Sequence, residues 1–172
     1  MLLLLTAFAI AAPEVHTDLS AQWSPETLVL GVGGRLEGED DGYLLLSGRI
    51  DPSGAYLGRA GVGFDLFGDG DTMDLRFGLF LGETGNLLDR TVVGRPAAGG
   101  EVEFGMHLGS VYGSLRHLDG FSGPLEQRLT ENEVRVGFEV DEHILVHGQY
   151  VRFNPGEERP VGGFGAGVEL VF

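Results

Sequence analysis

The chain has 172 residues, enough for one domain with a sizeable core, and it contains no cysteine. The absence of cysteine excludes disulfide frameworks, thiolate metal sites and thiol catalysis. The formal net charge of −15, from 26 acidic and 11 basic residues, argues against nucleic-acid binding, because that function needs a basic surface.

The first twelve residues, MLLLLTAFAIAA, form a short apolar run that ends in small residues. The run is too short for a membrane-spanning helix, which needs about 20 apolar residues. Ala9-Ile10-Ala11 fits the A-x-A pattern of a signal-peptidase site, although no lysine or arginine precedes the run. The pattern predicts a signal peptide over residues 1–11, with a buried N-terminal strand or helix as the alternative. Residues 12–26 are then expected to be a periplasmic N-terminal segment, and residues 27–172 the folded domain.

Beyond Pro13 the sequence alternates between apolar and polar or glycine residues, which is typical of a two-faced β-strand. Leu28, Leu30 and Val32, for example, alternate with Gly31 and Gly33. Turn sequences rich in Asp, Gly and Pro separate the alternating segments. The pattern predicts eight strands, which cover residues 28–37, 44–51, 56–66, 72–81, 101–112, 133–141, 144–150 and 163–172.

The predicted strands are long. Strands of about 10 residues match a tilted membrane crossing, whereas strands of soluble proteins average about 5 to 6 residues. With apolar residues facing lipid and charged residues facing the interior, the sequence predicts an all-β fold, an antiparallel up-and-down transmembrane β-barrel of eight strands. In a soluble protein the charged face would instead face solvent, so an acidic periplasmic β-sandwich binder stays as an alternative.

The number of strands is open between eight and ten. With eight strands, the irregular stretch 84–100 would be a periplasmic connection, and such turns are usually short. Ten strands would remove this difficulty, with Val15–Trp23 as the first strand and Leu87–Arg95 as the sixth. Residues 117–130, which contain Gly120, Gly123 and Pro124, are predicted to be a loop in either case.

The last ten residues, GFGAGVELVF, carry their apolar side chains on one face up to a terminal phenylalanine. With the alternation before it, this strand resembles those of the small outer-membrane barrels of Gram-negative bacteria, the OmpA transmembrane-domain and OmpX type. The resemblance implies a monomer in outer-membrane lipid, inserted by the barrel assembly machinery. It also implies that the closing strand is the assembly signal, carried by Phe164, Val168, Leu170 and Phe172.

Many charged residues fall on the polar faces of the predicted strands. The interior of a barrel of about eight strands is just wide enough for side chains, and an unpaired buried charge is prohibitive, so these charges must pair. The sequence therefore predicts a salt-bridged plug, with a narrow polar pore as the alternative. The predicted lumen network comprises Arg35, Glu37, Arg49, Arg59, Asp65, Asp74, Arg76, Glu103, Arg135, Glu139 and Glu169.

No catalytic residue, metal or cofactor is expected, and the predicted role is structural or surface-interactive. His147-x-Gln149 is similar to the His-x-Ser pair of outer-membrane lipid A deacylases, but a glutamine cannot attack an ester. A lipid A-modifying enzyme stays as an alternative. The acidic groups Asp69, Asp71 and Asp74 lack the other ligands of a calcium loop, and Asp is a common turn residue. A second collection of candidate catalytic residues comprises His107, Ser110, Ser114 and His117.

Overall fold

The computed structural model describes residues 14–24, 28–38, 42–68, 72–88, 94–123, 127–154 and 161–172. They form ten antiparallel strands. The strands are β1 (Glu14–Trp23), β2 (Leu28–Glu37), β3 (Gly42–Ile50), β4 (Ala55–Gly68), β5 (Met73–Asn86), β6 (Arg95–Leu108), β7 (Val111–Ser122), β8 (Gln127–Asp141), β9 (Ile144–Asn154) and β10 (Val161–Val171). The predicted signal peptide, residues 1–11, lies outside the described residues.

Each strand pairs with its neighbours in the sequence, and pairing of β1 with β10 closes the sheet into a barrel. At the closure Leu19 lies opposite Val168, and Ala21 lies opposite Ala166. We call the end of the barrel that carries Glu14 and Val171 the terminal end, and the opposite end the loop end. Connections at the terminal end span two to four residues, whereas those at the loop end reach eight residues, at 87–94. Short turns on one side and longer loops on the other are typical of outer-membrane barrels.

The prediction of eight strands is wrong, and the alternative of ten is correct. The first added strand is β1, which occupies most of the segment 12–26 that was expected to be periplasmic. The barrel therefore begins at Glu14 rather than at residue 27. The alternation of Val15, Thr17 and Leu19 had indicated this strand.

The second added strand is β7, and it is not the predicted one. Residues 101–112, predicted as one strand, contain a two-residue turn at Gly109 and Ser110 that joins β6 to β7. Gly109 has φ +63°, which hairpin turns of the primed types require at their first central position. The predicted loop 117–130 is instead the end of β7, a connection and the start of β8. The ten-strand alternative placed its sixth strand at 87–95, and this is wrong for the residues of that range that the structure describes. Leu87 and Leu88 lie in no strand, and Arg95 begins β6.

The outer wall of the barrel is apolar over most of its height. Val136 and Phe138 on β8 are 59% and 52% exposed, and no second layer covers them in the described chain. A continuous exposed apolar surface of this kind marks contact with lipid or with another protein. Charged side chains on the outward positions of the described strands are confined to the loop end, and they are Glu83, Asp119, Arg128 and Arg152.

Aromatic side chains lie near both edges of the apolar wall, as in the girdles of membrane barrels. At the loop end Trp23 and Phe121 are exposed on the outer wall, and at the terminal end Phe138 and Phe172 are exposed. Tyr150 packs on Phe164 with ring centroids 5.1 Å apart. In the described part of the chain, no helix is long and apolar enough to cross a membrane.

The barrel lumen as the candidate functional site

Alternation along the strands places every residue of the predicted lumen network on an inward position. These side chains do not form one uniform plug. They form several ion-paired groups, and each group links strands from different parts of the barrel wall. Five further acidic or arginine residues, which the predicted network did not include, also belong to these groups, and they are Asp18, Glu101, Arg116, Glu131 and Glu133.

The central group is built on two carboxylates of β8 that solvent hardly reaches, since Glu131 is 1% and Glu133 is 3% exposed. Arg49 Nη1 lies 2.9 Å from Glu131 Oε2, and Arg116 Nη2 lies 2.7 Å from Glu131 Oε1. Arg116 also contacts Glu133, whose Oε1 lies 2.8 Å from Arg135 Nη2. Three arginines from β3, β7 and β8 therefore compensate two buried carboxylates, which makes the burial of these charges tolerable.

A second group lies at the terminal end around Arg76 on β5. Its guanidinium lies 2.9 Å from Asp74 Oδ2 and 3.1 Å from Asp65 Oδ1. Arg76 Nη2 also lies 3.6 Å from Glu37 Oε1, which is 2.6 Å from Arg35 Nε. At this end His107 Nδ1 lies 3.4 Å from Glu139 Oε1.

Asp18 and His16 bring β1 into the lumen network. Asp18 Oδ2 lies 2.8 Å from His147 Nε2 and 3.1 Å from Arg135 Nη1. His16 Nδ1 lies 2.9 Å from Glu169 Oε1 on β10. Assigning residues 12–26 to a periplasmic segment had excluded both residues from the predicted network, although they alternate with the apolar residues of β1.

The lumen changes character towards the loop end. Leu57, Phe80, Leu118 and Leu129 form a buried apolar cluster there, and Phe153 packs against it. The pair Arg59–Glu101, with Nη1 and Oε2 2.7 Å apart, lies next to this cluster, and the Arg59 guanidinium is 5.7 Å from the Phe80 ring centroid.

On β7 and β8 the outer wall at the loop end carries polar side chains beside that apolar interior. Arg128 donates hydrogen bonds of 3.0 and 2.7 Å to Asp119, and His117 lies 2.9 Å from the Asn132 side chain. On these two strands the polarity is therefore reversed relative to the rest of the barrel, with Leu118 and Leu129 inside and polar side chains outside. That is the arrangement of a water-soluble barrel.

A cavity of about 430 Å³ occupies the polar part of the lumen. Glu14 and Glu142 line it at the terminal end, where both are exposed. Towards the loop end it is lined by Arg49 and Arg59, which are held by ion pairs. The lumen is therefore hollow near the terminal end and filled near the loop end.

The structure does not place the candidate catalytic histidines and serines in a hydrogen-bonded pair among the described residues. His147 is buried and bonded to Asp18, and among the described residues no hydroxyl hydrogen-bonds to its ring. Ser110 lies in the β6–β7 turn, and His117 points out of the barrel. Ser114 is buried in the lumen.

One group of side chains in the described chain has the spacing of a metal site. Ligand atoms of Glu14, His16 and Glu37 lie within 4.8 Å of one another at the terminal end. The same carboxylates also lie within ion-pair distance of His16, at 3.9 and 3.7 Å, so a protonated histidine would equally account for the group. Asp69 and Asp71 lie outside the described residues, and Asp74 pairs with Arg76.

No protein-family model matches the sequence, and a search of curated proteins found no match. Comparison with solved structures finds the N-terminal β-barrel domain of Pseudomonas aeruginosa OprF, at 11% identity, covering 92% of this chain and 97% of that one, with a TM-score of 0.44. The outer membrane protein Omp33 of Acinetobacter baumannii is 9% identical, with 93% and 98% covered and a TM-score of 0.44. A de novo designed transmembrane β-barrel is 11% identical, with 95% and 98% covered and a TM-score of 0.45.

The barrel architecture that the sequence resemblance implied is confirmed by the strand pairing, because the described residues form a closed, up-and-down antiparallel barrel with an even number of strands.

Proposed function

We propose that this chain is an integral outer-membrane β-barrel with a structural or surface-interaction role, a closed lumen and no catalytic activity. The observation that carries the proposal is the division of polarity across one sheet. Apolar side chains such as Val136 and Phe138 are exposed on the outer wall, while Glu131 and Glu133 of the same strand are buried and ion-paired inside. A solvated barrel would show the opposite division.

The loop end supports a surface role. The outer wall becomes polar there, at Asp119, Arg128 and Asn132, while the interior becomes apolar. A segment with this reversed polarity favours water over hydrocarbon, so it would extend beyond the lipid on the side of the longer connections. In outer-membrane barrels that side is extracellular.

The filled loop end also favours a closed lumen over a narrow pore. Ions that enter the cavity from the terminal end would meet the paired Arg49 and Arg59, and then the apolar cluster around Leu118. Passage would require breaking buried ion pairs and hydrating an apolar core, and both are costly.

A non-catalytic role is supported by the surroundings of His147. The ring has an acidic partner in Asp18, but Gln149 stands where a deacylase would carry its serine. By the resemblance, the partners would be outer-membrane lipid and the barrel assembly machinery, and the chain would act as a monomer.

Location and orientation can be tested together, because the chain has no cysteine and a single engineered one gives a unique label. The unlabelled protein should fractionate with the outer membrane and require detergent for extraction. In intact cells, Arg128→Cys at the loop end should react with a membrane-impermeant maleimide, and Glu142→Cys at the terminal end should react only after lysis. Recovery of a stable monomer from the periplasm in plain buffer would contradict the proposal, and the reverse labelling pattern would contradict the orientation.

A further inference from the structure

The side chains of Glu14, His16 and Glu37 meet at the terminal end of the cavity, on β1 and β2. Glu14 and His16 are two residues apart on β1 and both line the cavity, and Glu37 lies directly opposite Glu14 in the strand register. Two like charges directly opposite each other on one face of a sheet destabilise the strand pair. A positive charge between these two carboxylates would therefore strengthen the pairing of β1 with β2.

The hydrogen bond of His16 fixes which ring nitrogen faces the two carboxylates. Its Nδ1 atom lies 2.9 Å from Glu169 Oε1 on β10. An ionised carboxylate only accepts hydrogen bonds, so Nδ1 carries the proton and donates it, and the lone pair of the neutral ring is on Nε2. Histidines that bind a metal use their second nitrogen in the same way, since the carboxylate orients the ring and makes it more basic.

The Nε2 atom of His16 is buried and has no hydrogen-bond partner among the described residues. Its closest contacts with the two carboxylates are Glu37 Oε2 at 3.7 Å and Glu14 Oε1 at 3.9 Å. These distances are too long for hydrogen bonds, so a protonated ring would balance the charges but leave Nε2 unbonded. Two ligands that share one tetrahedral metal ion are about 3.4 Å apart, which is close to the observed spacing. The Glu14 side chain is 57% exposed, so it is free to make the small movement required.

We propose that Glu14, His16 and Glu37 bind one divalent transition-metal ion of the zinc type. The ligands would be His16 Nε2, Glu14 Oε1 and Glu37 Oε2, with a water molecule from the open end of the cavity completing the coordination. One imidazole and two carboxylates suit Zn²⁺, whereas Ca²⁺ and Mg²⁺ prefer oxygen ligands alone. The other oxygen of Glu37, Oε1, keeps its contact with Arg35 Nε at 2.6 Å.

The surroundings of the site attract cations. Three further acidic residues line the cavity at the terminal end, and they are Glu139, Asp141 and Glu142. An acidic opening of this kind raises the local concentration of cations. The cavity is open between Glu14 and Glu142, which are 57% and 87% exposed, so an ion can reach the site from water.

The bound ion would hold the closure of the barrel together. Glu169 lies on β10, His16 on β1 and Glu37 on β2, so the metal and the His16–Glu169 hydrogen bond would link three consecutive strands of the ring. An ion that binds the folded chain and not the unfolded one stabilises the folded state by mass action. We therefore expect Zn²⁺ to raise the unfolding temperature.

The proposal is tested by titrating tag-free, refolded protein in detergent micelles with Zn²⁺, after treatment with a chelator. Calorimetry should show saturable binding of one ion per chain, and Ca²⁺ and Mg²⁺ should bind more weakly. In protein with isotope-labelled histidine, Zn²⁺ should shift the Nε2 resonance of His16 more than its Nδ1 resonance. The unfolding temperature should rise with the Zn²⁺ concentration.

Variants separate the site from non-specific binding. Glu14→Gln and His16→Gln should each weaken Zn²⁺ binding at least about tenfold and reduce the rise in unfolding temperature, and Glu14 is exposed, so its substitution should not disturb folding. Glu169→Gln keeps an acceptor for Nδ1 but removes its charge, and it should weaken binding about tenfold. His143→Gln is the matched control, since His143 lies 3.6 Å from Glu142 at the same end but is exposed, and binding should not change. The circular dichroism spectrum and the heat-modified gel mobility show whether each variant has folded.

Three results would overturn the proposal. They are the absence of saturable Zn²⁺ binding, binding that Glu14→Gln and His16→Gln leave unchanged, and Ca²⁺ binding as tight as that of Zn²⁺. The first result would show that a protonated His16 alone accounts for the group. The site depends neither on the orientation in the membrane nor on a closed lumen, so the titration in micelles is independent of the proposed function.

Discussion

His147 Nε2 lies 2.8 Å from Asp18 Oδ2, and this contact connects β9 to β1 across the inner surface of β10. It is possible because β10 has a glycine, Gly167, where the histidine ring crosses it. A Cβ at Gly167 would lie 2.5 Å from His147 Cε1 and 2.8 Å from the Leu19 carbonyl oxygen.

Gly167→Ala should therefore destabilise the barrel, by about 1–3 kcal/mol, because the added methyl group meets both a side chain and the backbone. The measurement is the free energy of unfolding in a reversible lipid or detergent system. Gly33→Ala is the matched control, since an added Cβ there is 3.7 Å or more from its neighbours, and we expect a change within about 0.5 kcal/mol. Equal effects of the two substitutions would show that the His147 crossing does not require Gly167.

Val136 on β8 tests whether the apolar wall faces hydrocarbon. Val136→Arg should cost about 2–4 kcal/mol if the residue lies near the bilayer midplane. Asn132→Arg changes an outward position of the same strand near the loop end, and it should cost about 0–1 kcal/mol. Both are measured by refolding into lipid vesicles. A cost below a few tenths of a kcal/mol for Val136→Arg would mean that this wall is not in lipid.

The ion pair between Arg59 and Glu101 should be costly to break. Its charged atoms are 2.7 Å apart and the side chains are 4% and 8% exposed, so Arg59→Met leaves a buried carboxylate without its partner. We expect a loss of about 3–5 kcal/mol in the free energy of unfolding, and a smaller loss when Glu101→Gln is added.

The exposed pair Arg128–Asp119 gives the matched control for Arg59. Its side chains are largely in solvent, and Arg128→Met should cost no more than about 1 kcal/mol. If Arg59→Met cost as little as Arg128→Met, the lumen charges would be solvated rather than locked in pairs.

Phe172 combines two roles that a substitution can separate. Its backbone N–H and carbonyl both bond to Val15, at 2.9 and 3.0 Å, and its ring is exposed on the outer wall. Phe172→Ser keeps the backbone bonds and removes the aromatic ring of the expected assembly signal. We predict poor insertion in cells with nearly normal refolding in detergent. Leu108→Ser, at an exposed outward position of the same end, should insert well, and normal insertion of Phe172→Ser would argue against the assembly signal.

The sequence predicts the barrel class because the apolar positions of each strand alternate with polar ones wherever the wall faces lipid. It does not predict the strand count, because this rule reverses at the loop end. On β7, His117 and Asp119 point outward while Leu118 is buried. This is the opposite of the pattern expected for a membrane strand, and the sequence of this segment was therefore interpreted as a loop. Across the two-residue turn at Gly109 and Ser110 the outward positions change from even to odd numbers, between Leu108 and Val111. Tyr112 nevertheless continues the even-numbered apolar series in the sequence, so the turn gives little signal of its own.

The lumen residues follow from the same alternation, but their partners do not. Arg49 and Glu133 are 84 residues apart in the sequence, and they meet only because the barrel places β3 opposite β8. The separation of the lumen into an open polar part and a closed apolar part depends on the closure and on the register of ten strands. Neither of these can be read from the pattern of a single strand.

Conductance in planar lipid bilayers tests the closed lumen most directly. The purified, refolded protein should show no steady ion current, because ion pairs of Arg49 and Arg59 and the apolar cluster around Leu118 fill the loop end. The double variant Leu118→Ala and Leu129→Ala, which empties part of that cluster, serves as the comparison and should be the leakier of the two. A steady conductance from the unaltered protein would contradict the closed barrel and establish the narrow polar pore in its place.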